Sequence, residues 1–209
     1  GMTREEQSTS GSATAIIFVL CFVFIYLLLS AQYESYLLPL AVILSIPFGL
    51  AGSFIFIQLL GAASNILPFL GAASNDIYMQ IALIMLIGLL AKNAILITEF
   101  ALDRRKMGMS ITWAAVLGAG ARLRPIMMTS LAMIVGLLPL LFAMGAGANG
   151  NRSLGATAVG GMLIGVICQI FVVPSLFVIF QYLQEKIRPM VWEDIDNTDA
   201  KEDIEQYSK

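Results

Sequence analysis

Lys92 is the residue that most demands a chemical explanation. It lies fifteen positions into an apolar run from Ile77 to Leu102, with Gly88 one turn before it and Leu96 one turn after. A lysine near the centre of a bilayer costs about 2.5–3.5 kcal/mol on insertion scales. Such a group must meet a carboxylate, line a water-filled cavity or give up its proton. Snorkelling to the headgroups is the ordinary alternative, but the stem would have to cover about 10 Å or more. Glu99 shares a helical face with Lys92, yet seven residues put it about 10.5 Å further along the axis, towards the interface. Glu34 and Asp76 stand at the edges of apolar runs. No carboxylate of this chain is expected at the depth of Lys92. Its counter-charge is therefore expected on helices outside these 209 residues.

Arg122, Pro125 and Thr129 form a second group. If helix continues back through Pro125, Arg122 and Thr129 lie seven apart and share a face. Otherwise Pro125 occupies the first helical turn. Anchoring at a cytoplasmic surface accounts for Arg124, and is an equal account of Arg122 taken alone. A lone helical threonine usually bonds back to its own preceding turn. Asn93 can hydrogen-bond across helices, as packing glue or as part of a site. Gly161 and Gly165 make a small-xxx-small pair that lets a neighbouring backbone approach closely.

Composition says what must position these groups. Hydrophobic residues make up 58% of the chain and charged residues 12%, with a mean hydropathy of +0.85. A soluble domain runs nearer about 45–50% and about 25%. An ordinary water-soluble globule is excluded. There is no histidine and the net charge is −2, so neither an imidazole-based metal site nor a basic nucleic-acid footprint is expected. Cys21 and Cys168 sit inside apolar runs and read as small hydrophobes.

A bilayer core needs about 20 apolar residues as helix. Five runs meet that length, at 13–31, 37–60, 77–102, 125–144 and 154–183, giving an all-α membrane protein. Lys and Arg fall mainly in the 103–124 loop and after the fifth span, whereas the loops 61–76 and 145–153 hold only Arg152. The positive-inside rule then puts the C-terminus in the cytoplasm and the N-terminus on the outer side. An N-terminus on that side without a signal sequence suggests further chain upstream. Gly61–Asn65 recurs as Gly71–Asn75, which reads as a loop duplication. Met109–Ala121 can form a short interfacial helix. The tail over 184–209, with seven acids between Glu193 and Glu205, is expected to be disordered.

Several stretches in order give the chain a family likeness: 31–36 (AQYESY), 75–80 (NDIYMQ), 87–100 (IGLLAKNAILITEF), 122–130 (RLRPIMMTS), 136–139 (GLLP), 145–147 (GAG) and 160–162 (GGM). The series closely resembles the resistance–nodulation–division (RND) efflux transporters of the hydrophobe and amphiphile branch, over roughly residues 11–185. The resemblance implies the last five of twelve membrane helices, half of that family's membrane domain. Residues 1–12 are similar to the junction from a periplasmic porter region. In that family two aspartates on the fourth helix exchange protons with a lysine on the tenth, and an arginine and a threonine on the eleventh complete the relay. Lys92, Arg122 and Thr129 match those positions, and Asn93 matches a further polar one. The aspartate pair has no match here.

The resemblance further implies a bacterial inner-membrane location, with the N-terminus periplasmic and the C-terminus cytoplasmic. It implies protons as the coupling ion and no cofactor or metal. The implied partners are an N-terminal half carrying the aspartates, two further copies in a trimer, a periplasmic adaptor and an outer-membrane channel. Hydrophobic or amphiphilic small molecules are the implied cargo. An alternative, with Met2 as the start, is a self-sufficient small membrane protein that scaffolds a partner. An enzyme buried in the membrane is disfavoured, since paired acids or a Ser/His couple are wanting.

Overall fold

The computed structural model describes residues 4–64 and 77–189. These form five long helices: α1 (Arg4–Tyr33), α2 (Leu38–Ser64), α3 (Ile77–Lys106), α4 (Ile111–Leu141) and α5 (Ala148–Ile187). All five are long and apolar enough to cross a membrane. Helix is the outcome that lipid imposes, because each backbone N–H and C=O must be satisfied within its own segment.

Helix α5 is the organising element and packs on α2, α4 and α3. Its stretch Gly155–Met162 is buried throughout, which small residues make feasible. A Cβ on Gly165 would lie 2.9 Å from the Gly49 Cα of α2, so the two backbones meet there. At Gly161 a Cβ would run into Leu86 of α3. Helix α1 is the outlier. It touches only α2 and α3 among its strong contacts, and Ile16, Leu20, Phe24 and Leu28 stay exposed.

Helix boundaries differ most from the sequence reading between the third and fourth spans. The expected 103–124 loop is almost entirely helix, and the connection shrinks to residues 107–110. Arg104, Arg105 and Lys106 extend α3 because cations favour the negative end of the helix dipole. Gly108, at φ 104°, then makes the turn. Ser110 starts α4, its Oγ accepting from the Trp113 N–H at 3.4 Å. No separate interfacial helix exists over 109–121. Its residues run straight into the fourth span through Pro125.

The fifth helix likewise begins at Ala148 rather than near 154 and continues to Ile187, so the first residues of the expected tail are helical. The first begins at Arg4, inside the expected junction. Gly61–Ser64 is the last turn of α2. Asn65 and the second copy of the repeat, 71–75, lie outside the described residues, as do Asp76 and 190–209. Cys21 and Cys168 are free thiols.

Candidate functional site: a lysine cleft on α3 and α4

Lys92 projects from the lateral surface of α3, and its side chain is exposed in the five-helix bundle. Its neighbours on either side, Ala91 and Asn93, are buried. A small cleft of about 70 Å³ opens beside it, lined by Leu89, Lys92, Asn93, Thr129, Ser130, Met133 and Met162. Lys92, Asn93 and Thr129, chosen from sequence as separate residues on two helices, therefore share one cleft. Ser130 joins them. The lining of the cleft is mostly apolar but includes these polar groups, and the cleft is wide enough to admit water.

Hydrogen-bonding capacity in the cleft is largely unspent. The Asn93 Nδ2 and the Ser130 Oγ are buried and have no hydrogen-bond partner among the described residues. Thr129 donates back to the carbonyls of Pro125 and Ile126, each at 3.1 Å, which leaves its lone pairs free. No hydrogen bond or ion pair reaches the Lys92 ammonium among the described residues, and Glu99 does not pair with it. On its other side Lys92 borders an apolar groove of about 270 Å³ between α1 and α3, lined by Phe24, Leu28, Gly88 and Ile95 among others.

Arg122 is not in this cleft. Seven residues place it about 10.5 Å along α4 from Thr129. Its guanidinium stands over the Phe100 ring of α3, 5.4 Å from the centroid. Arg104, itself buried, stands over the same ring at 4.8 Å. The Arg122 Nε is buried without a partner among the described residues. The continuous α4 does put Arg122 and Thr129 on one face, with Phe100 as the floor of a second, cationic station.

Two features of the bundle escape a reading by sequence. Gln169 of α5 is fully buried, and its Nε2 donates to the Leu90 carbonyl of α3 at 2.9 Å and to the Ser45 Oγ of α2 at 3.3 Å. The signal that exposes Lys92, a polar group inside an apolar run, was available for Gln169 too. Arg105 forms a bidentate pair with Glu185, at 2.7 and 2.8 Å, and caps the Met109 carbonyl at 2.7 Å. Eighty residues separate that pair, so no local pattern announces it.

Five membrane-length helices, one of them carrying a mid-helix ammonium uncompensated among the described residues, define a multi-pass membrane protein. The chain belongs to the AcrB/AcrD/AcrF family of RND efflux transporters, whose profile residues 1–181 match. It is 43% identical over 178 residues to the toluene efflux pump membrane transporter TtgB of Pseudomonas putida, a match that covers 85% of this chain and 16% of TtgB. To the multidrug resistance protein MdtF of Escherichia coli it is 39% identical over 184 residues, 88% of this chain and 17% of MdtF. To the multidrug export protein AcrF of the same species it is 38% identical over 182 residues, 87% of this chain and 16% of AcrF. The chain thus spans about a sixth of the length of the curated relatives it matches.

Proposed function

We propose that this chain supplies the eighth to twelfth membrane helices of a proton-driven multidrug efflux pump and, within them, the Lys92, Arg122 and Thr129 half of its proton relay, with Asn93 beside them. The single observation that carries the reading is the ammonium of Lys92, placed mid-helix on an open face with no carboxylate at its level among the described residues. A cation so placed calls for a carboxylate from a neighbouring helix. Opposite unit charges 4 Å apart attract by about 4 kcal/mol at an effective dielectric near 20. Protonating the carboxylate removes that attraction, and the lysine is then free to turn into the Asn93/Thr129/Ser130 cleft. A switch of several RT in one contact is enough to exchange two helix packings. Arg122, about two turns below Thr129, would hold the next station for charge on the way to the cytoplasm.

The same reading makes the N-terminus periplasmic and the C-terminus cytoplasmic. It places the chain beside a half-transporter bearing the aspartate pair, in a trimer that meets an adaptor and an outer-membrane channel. Hydrophobic and amphiphilic compounds are its cargo, in keeping with the names of TtgB, MdtF and AcrF. The test is Lys92→Ala in the complete transporter. Efflux should be lost while the amount of protein in the membrane is unchanged. Wild-type efflux by the variant would remove Lys92 from the relay.

A further inference from the structure

Leu90 stands two residues before Lys92 on α3, about 200° away around the helix at about 100° per residue. Holding Leu90 inward therefore turns Lys92 outward. Leu90 is held by two devices. Its isopropyl group occupies a slot between Gly49 of α2 and Gly165 of α5. A Cβ on Gly49 would run into it, and one on Gly165 would come within 2.9 Å of its Cδ2. Its carbonyl accepts from the Gln169 amide at 2.9 Å, one turn beyond Gly165 on α5.

The second device is a poor choice for cohesion alone. The Gln169 Oε1 is buried with no hydrogen-bond partner among the described residues. An unmet buried acceptor costs stability, and an apolar side chain of the same length would pack the position without that cost. What the amide adds is direction. A carbonyl oxygen has a second lone pair beyond the one its own helix uses, and a donor aimed at it in a low-dielectric interior fixes both the rotation and the height of that helix.

We propose that Gln169 is a positioning residue for Lys92: its bond to the Leu90 carbonyl sets the rotation of α3 that presents position 92 to the Asn93/Thr129/Ser130 cleft. The role has meaning for transport only through the relay reading above, but the geometry does not depend on that reading. Ser45 accepts from the same amide at a longer 3.3 Å and already donates to the Val42 carbonyl at 2.6 Å, so its part is secondary.

The test is thiol cross-linking in membranes, with the full chain carrying Cys21→Ala, Cys168→Ala, Lys92→Cys and Thr129→Cys. A short bifunctional thiol reagent should join positions 92 and 129. Adding Gln169→Met should lower the yield about two- to tenfold, the population change that one intramolecular hydrogen bond sustains, at equal membrane content. Gln169→Asn, whose amide falls a methylene short, should give the same loss and serves where Gln169→Met inserts poorly. Ser45→Ala should leave the yield unchanged. An undiminished yield in both Gln169 variants overturns the proposal. So does an equal loss from Ser45→Ala, which would mean general loosening rather than control of α3. No ammonium is present at position 92 in these proteins, so the result stands whatever Lys92→Ala does to efflux.

Discussion

Lys92 and Arg105 are cations on the same helix, thirteen residues apart, with opposite circumstances. Arg105 finds everything it needs within this chain: both oxygens of Glu185 and the Met109 carbonyl, all within 2.8 Å. That planar fork ties the end of α3 to α5 and to the turn before α4, as a bidentate guanidinium does best. Lys92, in the expensive part of the helix, finds no ionic partner among the described residues. The difference separates a cation that ties helices of the bundle together from one that no group among the described residues satisfies. A satisfied charge near the interface is architecture. An unsatisfied one at depth costs stability.

Breaking the comparison at Lys92 should give the largest effect. Lys92→Ala should abolish efflux in the complete transporter, whereas in the five-helix chain by itself it should leave thermal stability in detergent unchanged or higher, since there it removes a charge with no partner among the described residues. Arg105→Ala should do the reverse. It leaves a partly buried Glu185 without its partner and should lower stability by about 1–3 kcal/mol, between the values for exposed and buried pairs, as read from unfolding in detergent. Efflux per folded molecule should persist. Gly165→Ala sharpens the contrast from between these two. Its methyl meets the Gly49 backbone and the Leu90 side chain, so a stability loss of about 1–2 kcal/mol should come with a disproportionate loss of efflux. Phe100→Leu, which removes the ring beneath Arg104 and Arg122, should have an effect on stability of similar size. It should cost about 0.5–1 kcal/mol for each cation–π contact, measured in the same unfolding assay.

Much of the bundle is legible in the residue order. Uncharged runs of bilayer length mark the helices, and one lysine inside such a run marks itself by its cost. Helix ends are less legible. Arg104–Lys106 read as loop because they are charged, yet they complete α3 by matching its dipole, and Gly108 and Ser110 supply the true turn. Pro125 left two helix starts open. A mid-helix proline removes one backbone donor and crowds the carbonyl four residues before it, yet α4 continues through Pro125. The contrast between α1 and α3 was hidden for another reason. Only 6% of the most apolar stretch of α1 is buried in the bundle, against 56% of that of α3. Both are apolar on all sides, so no stripe tells which face meets protein and which meets lipid.

Residue types and spacing determined that this is a membrane chain with five spans, a lysine inside one apolar run and a glycine pair for close helix contact; the likeness to the RND family added the asparagine, arginine and threonine. Tertiary structure decided that Lys92, Asn93 and Thr129 share a cleft with Ser130, that Arg122 belongs to a separate station over Phe100, and that Gln169 reaches α3 from α5. The physical reason is range. Transfer costs and helix periodicity act on neighbours in sequence and can be summed along it. Which side chain on α5 meets which carbonyl on α3 depends on rotations of whole helices, and those are settled only when every small residue, from Gly49 to Gly165, has found its opposite backbone.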